Sequence, residues 1–209
     1  MKIKYLGHSC FLIDDLLIDP FIKGNDKIDI DVNSISCKII CVTHDHFDHL
    51  GDAYEIAKNT GATIVAIPEI CWKLPEGLKG EGMNIGGEIT VGDWTIKMVK
   101  AYHTCGVGSC VGFILKKDGK SIYHAGDTGL FGDMKYIGEE GIDIAMLPMG
   151  GRFTMGVDDA LKAVKLLNPK QVIPMHYGTF PILISDPKDF KEKCSCDVNI
   201  FKLGEEKEL

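Results

Sequence analysis

Residues 38–49 read KIICVTHDHFDH, and the fold follows from how that stretch has to be housed. Lys38–Thr43 is a short continuous apolar run, which predicts a strand buried on both faces. Directly after it, His44, Asp45, His46, Asp48 and His49 put three imidazoles and two carboxylates into six residues. Such a set packs badly in a core unless a cation compensates the acids and takes up the lone pairs. The plain alternative is a solvated polar loop. It is disfavoured because the whole chain holds seven histidines and gathers three of them here. Active sites of layered α/β folds collect at the carboxyl ends of strands, which is where this group falls.

Outward from that stretch, Leu50–Asn59 has helical spacing with Gly61 as its stop, and Thr63–Ile67 is the next buried strand. Upstream, strands are expected at Lys2–Leu6, Cys10–Ile13 and Leu16–Ile18, with Asp14-Asp15 as a hairpin turn and Asp19-Pro20 as a stop. Residues 75–93 are glycine-rich and read as loops and short edge strands. Trp94–Ala101, Val111–Lys116 and Ser121–His124 read as strands, the last two joined by a turn at 117–120. There follow a helix at Phe131–Ile137, a strand at Ile142–Pro148, a helix at Val157–Leu167 and a strand at Gln171–Pro174. A helix at Pro187–Lys193 and a final strand at Val198–Lys202 end the pattern. Hairpins followed by strand–helix units, twice over, predict two related halves, each a sheet covered by helices on one side. Both belong to one α/β domain spanning residues 1–209.

The bulk numbers agree with a globular enzyme-sized domain: 209 residues, 45% hydrophobic and 25% charged. A net charge of −7 argues against a nucleic-acid partner, which usually meets a basic face. The positive charge is nearly all lysine, and Arg152 is the single arginine. The opening MKIKYLGHSC alternates like a strand and lacks the apolar region of a leader. No apolar run of about 18 residues predicts a membrane span. The eight cysteines are scattered, with no C-x-x-C pair, and read as reduced thiols. Cytoplasm is the expected compartment.

THDHFDH resembles the H-x-H-x-D-H signature of the metallo-β-lactamase superfamily, and later segments AYHT, HAGDTG and PMHYG offer His103, Asp127 and His176 in the superfamily's order. YLGHSCFLI, PMGGRFTMG and VIPMHYGTFP further resemble the small metal-dependent hydrolases related to L-ascorbate-6-phosphate lactonase. The resemblance implies a metallo-β-lactamase-like four-layer αββα sandwich. It also implies two divalent ions, with His44, His46 and His103 on the first, Asp48, His49 and His176 on the second, and Asp127 bridging. Zinc is the first expectation, with manganese, nickel or iron as alternatives, because imidazole ligation suits all of them. Two ions about 3.5–4 Å apart share a hydroxide, bring its pKa towards neutrality and polarise a carbonyl or phosphoryl group. The expected function is hydrolysis of a small ester, lactone or phosphoester. Asp48 is also a candidate proton acceptor.

Several other residues are candidates for supporting or substrate-binding roles. His8 is a catalytic candidate, as a substrate contact or proton donor, or else a hydrogen-bonded structural histidine. His124 reads as support for the Asp127 loop or as a core histidine, and Asp45 as a hydrogen-bond partner of a motif histidine. Arg152 reads as a clamp for a substrate carboxylate or phosphate, or as a surface ion pair. Tyr177 and Thr179 are candidate substrate contacts by proximity to His176. Cys105 and Cys110 line a pocket or fill a core.

Three alternatives stand beside hydrolysis of a small molecule. A metallo-ribonuclease is opposed by the acidic balance. A redox di-iron protein is opposed by His46, where such relatives carry glutamate. The third is a regulatory metal-binding protein without catalysis. A homo-oligomer stays open.

Overall fold

The computed structural model describes residues 1–184 and 186–209, and the chain falls into two compact units. The first comprises Met1–Asn84, Cys105–Ser109 and Phe201–Leu209, the second Ile85–Thr104 and Cys110–Ile200.

The first unit is built on strands β1 (Lys2–Gly7), β2 (Cys10–Ile13), β3 (Leu16–Ile18), β4 (Ile39–Cys41), β5 (Thr63–Ala66), β6 (Lys79–Gly82) and β14 (Glu206–Glu208). Their order is β14-β1-β2-β3-β4-β5-β6. The first three pairings are antiparallel and the last three parallel. Every residue of β3 and β4 is buried, as an apolar run inside a covered sheet requires. Three short helices accompany the sheet: α1 (Phe47–Leu50), α2 (Ala53–Thr60) and α3 (Pro68–Cys71).

The second unit repeats the plan. Strands β7 (Glu88–Val91), β8 (Trp94–Lys100), β9 (Val111–Lys117), β10 (Lys120–His124), β11 (Ile144–Pro148), β12 (Gln171–Met175) and β13 (Asp197–Val198) lie in sequence order. Again three antiparallel pairings are followed by three parallel ones. Its helices are α4 (Met134–Gly138), α5 (Val157–Leu167) and α6 (Lys188–Lys193).

Helix α5 shows how the sequence builds these covers. Its buried residues Ala160, Ala163, Val164 and Leu167 recur at helical spacing, so one stripe faces inward. Asp158 and Asp159 occupy the first turn and Lys165 the last, each complementing the helix dipole. Asn168 ends the helix in a left-handed conformation, with its N–H donating to the Val164 carbonyl. A Cβ at Gly138 would lie 2.5 Å from the Leu167 carbonyl oxygen, so glycine is what lets the end of α4 approach α5.

Besides the unexpected short helix α3, the structure departs from the sequence reading in three places. The helix expected at Leu50–Asn59 is broken: α1 ends at Leu50, and α2 starts at Ala53. Gly51 turns the chain with φ 41°, and any Cβ there would sit 2.3 Å from the Pro20 carbonyl oxygen. The Asp52 carboxylate then accepts the N–H groups of Ile22 and Lys23, both at 2.9 Å. The final strand expected at Val198–Lys202 is instead the short β13, beyond which the Asn199 N–H still donates to the Val172 carbonyl of β12 at 2.9 Å. The chain ends on β14, whose charged residues pair with Lys2–Lys4 of β1.

All eight cysteines are thiols. Burial, then the nearby Asp19 carboxylate, push Cys10 and Cys41 well above the ordinary thiol range, and burial raises Cys37 to about 11. A raised pKa means less thiolate at any working pH, and the thiolate is the reactive form. A chromogenic disulfide at pH 8 is therefore expected to spare buried Cys10, Cys37, Cys41 and Cys110 until a denaturant is added. Rapid modification of these four in the native protein would contradict the packing. Among the described residues no helix is long and apolar enough to cross a membrane.

Candidate functional site

In the first unit the candidate residues follow the ends of β1, β3 and β4. A carboxylate at the end of β3, where the sequence predicts only a strand stop, organises them. Asp19 is fully buried, and one oxygen accepts the Thr43 N–H at 2.8 Å. Its other oxygen accepts the Thr43 hydroxyl at 2.7 Å and lies 2.7 Å from His49 Nδ1. A buried carboxylate is an acceptor only, so His49 Nδ1 carries the proton and Nε2 the lone pair.

The same logic reaches His44. The Thr43 hydroxyl has already given its hydrogen to Asp19, so its oxygen accepts from His44 Nδ1 at 3.0 Å. His44 Nε2 is left as the lone-pair nitrogen, 3.0 Å from His46 Nδ1. The rings of His44 and His49 stand 4.2 Å apart between centroids. One acid thus sets the tautomers of two motif histidines, which is the support that metal-ligating imidazoles usually have. Only its place after a strand, before a proline and ahead of the histidine motif could have signalled Asp19 in the sequence.

His8, directly after β1, is also buried, and its Nε2 lies 3.2 Å from Asp48 Oδ2. Possible ligand atoms of His8, Asp48 and His49 are within 4.8 Å of one another. Asp48 keeps a small exposure of 13% while the His8 side chain has none. His8 also packs edge-on against Phe21, at 5.8 Å between centroids. Asp45 was expected to hold a motif histidine. It turns instead to the loop at 105–109, where its carboxylate accepts the Gly106 N–H at 2.7 Å.

In the second unit Asp127 lies just past β10, with its Oδ2 3.1 Å from His176 Nε2 and 3.5 Å from His103 Nε2. Backbone bonds hold the three together. Tyr102, next to His103, donates its N–H to the Thr128 hydroxyl at 2.9 Å and accepts the Gly129 N–H at 3.0 Å. His124 accepts the Gly126 N–H at 3.2 Å on Nδ1, which shapes the turn carrying Asp127. His176 immediately follows β12. Tyr177 beside it is half-buried, and burial pushes its phenol up to about 12, so it stays a neutral hydroxyl near neutral pH. Arg152 lies beyond the end of β11, exposed, with its guanidinium carbon 5.9 Å from the centre of the Phe153 ring. Cys110 is buried and Cys105 half-buried.

Three of these residues have an uncommon backbone. His8 and His176 both have φ 57° and Asp19 has φ 44°. Non-glycine residues in this left-handed region are infrequent, and strain of this kind concentrates at functional sites.

The donor set fits a divalent cation. Each unit offers imidazole nitrogens beside a carboxylate. In the first, two imidazoles present lone pairs at Nε2 by virtue of Asp19. Among the described residues, the groups whose ligand atoms converge consist of histidine and aspartate, with no cysteine. Nitrogen and oxygen donors of this kind suit zinc, manganese, nickel or iron.

Comparison with known proteins agrees. Residues 2–176 match the model of the Beta-lactamase superfamily domain. The chain belongs to that superfamily. It is similar to a UPF0173 metal-dependent hydrolase of Pelotomaculum thermopropionicum, 42% identical over 228 residues that cover 100% of both chains. A second such protein, from Methanocaldococcus jannaschii, is 45% identical over 220 residues, 99% of this chain and 100% of that one. Among solved structures, a metallo hydrolase from the hyperthermophilic archaeon Ignicoccus hospitalis matches with a TM-score of 0.91 at 39% identity, covering 100% of this chain and 98% of that chain. The fold is therefore the metallo-β-lactamase one, and the two mixed sheets with their helices are the components of an αββα sandwich. Within the superfamily the chain is a metal-dependent hydrolase of the UPF0173 group.

Proposed function

We propose that residues 1–209 act as one catalytic domain that hydrolyses a small ester, lactone or phosphoester with two divalent ions. His44, His46 and His103 would hold one ion, Asp48, His49 and His176 the other, and Asp127 both, with zinc the first choice of metal. When bound, the ions acidify a water and offset the charge that grows on the carbonyl or phosphoryl oxygen. The observation that carries the reading is the Asp19–Thr43 network, which turns Nε2 of both His44 and His49 into electron-pair donors.

The chain's own residues then divide the remaining work. Asp48 is the carboxylate with some access to solvent, so it takes the proton from the attacking water and passes it to the leaving group. His8, sealed from solvent and 3.2 Å from Asp48, holds that carboxylate in place. Asp127 keeps negative charge between His103 and His176.

Metal analysis of the purified protein, paired with assays on a panel of lactones and phosphodiesters, tests the proposal. Two zinc, manganese or nickel ions per chain and turnover lost on chelation, then restored by the metal, are the expected results. Turnover that survives complete metal removal would refute it. Iron in both sites without hydrolysis would favour the redox alternative.

A further inference from the structure

The second unit contains a cleft of about 930 Å³ whose lining includes Gly150, Arg152, Phe153, Ile182 and Ile184. Three features separate it from an ordinary surface hollow.

The first is its position. Gly150 forms part of the lining, and a Cβ placed there would lie 2.5 Å from the His176 carbonyl oxygen and 3.0 Å from His176 Nδ1. Glycine is what allows the cleft wall and the His176 ring to meet. The Arg152 loop is also bonded to the neighbouring loops: Met155 N–H donates to the Thr128 carbonyl at 3.1 Å, one residue from Asp127. Ile184 N–H donates to the Gly150 carbonyl at 3.0 Å, and Gly178 N–H to the Ile184 carbonyl at 2.8 Å, two residues beyond His176.

The second feature is charge. Arg152 is the single arginine in a chain with 23 basic residues. Among the described residues it has no carboxylate within ion-pair distance, and its recorded neighbour is the Phe153 ring. The alternative of a surface ion pair is therefore not seen among the described residues. A guanidinium presents a planar fork of donors that matches an oxyanion, which a lysine does not. The third feature is apolar surface beside that charge: Phe153 and Ile182 are 56% and 52% exposed.

We propose that this cleft is a substrate subsite for an amphiphilic oxyanion, with Arg152 receiving a carboxylate or phosphate and Phe153 and Ile182 covering an adjoining apolar group. The substrate class is thus an ester, lactone or phosphodiester that carries, away from the bond to be cut, one negatively charged group and one apolar group. This rests on the hydrolase reading above. Arg152 acts on binding and selectivity rather than on bond cleavage.

The test uses the metal-loaded full chain and three nitrophenyl esters of matched length, ending in a methyl, a carboxylate or a phosphate. Wild type is expected to prefer the two charged esters over the neutral one by about 10–100-fold in kcat/KM, the range of one charged hydrogen-bonded pair. The preference should lie mainly in KM. In Arg152→Met the ratio should fall towards one, and Arg152→Lys should restore only part of it. Lys165→Met, which removes an exposed charge from the outer side of helix α5, should leave the ratio as in wild type. The carboxylate and phosphate arms show which oxyanion the site prefers. An unchanged ratio in Arg152→Met, or the same fall in Lys165→Met, overturns the proposal.

A binding arm keeps this separate from the hydrolase reading. Phenylpropionate and phenylphosphonate, which cannot be hydrolysed, are titrated by calorimetry against wild type and Arg152→Met. Binding that the substitution weakens at least tenfold supports the subsite even where no ester is turned over, in which case the hydrolase reading alone fails. No binding to wild type, or equal binding to both proteins, overturns the subsite whatever the turnover.

Discussion

Asp127→Asn is expected to give a folded protein that no longer keeps its metal. Its carboxylate lies 3.1 Å from His176 Nε2 and 3.5 Å from His103 Nε2, and the residue is buried. Asparagine has the same shape and retains one oxygen, so packing should survive. The negative charge is lost, and an amide N–H₂ is placed where a lone pair is needed. Substitution of groups that merely support a ligand lowers metal affinity or activity by about 10–100-fold. A direct ligand should exceed that, with affinity and turnover falling together. Metal retained after dialysis against a weak chelator is the direct measurement. Thermal unfolding gives an independent one, because a ligand at about 100 times its Kd stabilises the native state by about 2.7 kcal/mol. Wild type should show such a shift on metal addition and the variant should not. Wild-type metal content together with wild-type turnover would remove Asp127 from the site.

Asp19 should show two different failures depending on what replaces it. Asp19→Ala removes the acceptor of the Thr43 N–H, the Thr43 hydroxyl and His49 Nδ1 at once, all in a fully buried place. Each buried donor left without an acceptor costs about 1–3 kcal/mol, so the sum is a large part of a typical stability of about 5–15 kcal/mol. This variant is expected to unfold at much lower denaturant concentration, or not to fold at all. Asp19→Asn is the more informative change. Its oxygen can still accept the Thr43 N–H, but its N–H₂ then faces both His49 Nδ1 and the Thr43 hydroxyl oxygen and donates to them. His49 must shift its proton to Nε2, where it no longer offers a lone pair. A folded protein with about 10–100-fold weaker metal affinity is therefore expected. Nitrogen NMR of the histidine rings would report the switched tautomer directly. Unchanged metal affinity with the switched tautomer would show that His49 Nε2 is not a ligand atom.

How much of this was legible in the sequence depends on what each feature rests on. Strand β4 and the histidine motif were plain, because a buried strand and a cluster of imidazoles both leave strong compositional marks. Helix α5 has the same bounds as its apolar periodicity predicted, since its dipole-matched ends and buried stripe are all local. The antiparallel-then-parallel plan of both sheets follows the expected alternation of hairpins and strand–helix units. Strand β14 was missed because Glu206–Glu208 carries no apolar side to read; backbone pairing with β1 makes it a strand. The break before α2 was missed because the Pro20 carbonyl and the N–H groups of Ile22 and Lys23, which select it, come from a distant segment. Asp19 was seen only as a turn residue for the same reason: its three hydrogen bonds go to Thr43 and His49, more than twenty positions away. Arg152 was noticed for its rarity, while the cleft beside it needed coordinates to appear.

The left-handed backbone at His8, Asp19 and His176 has a consequence for how this protein balances endurance against chemistry. Each such setting costs an ordinary L-residue about 1–2 kcal/mol, and glycine almost nothing. At Asp19 the three buried hydrogen bonds to Thr43 and His49 outweigh that cost, whereas at His8 and His176 selection for durability alone would favour glycine. The chain instead keeps two imidazoles at those positions, at the strand ends where its candidate ligands stand. Thermal resistance is thereby traded for chemistry at these two positions, and the margin has to be found in the buried strands of each sheet.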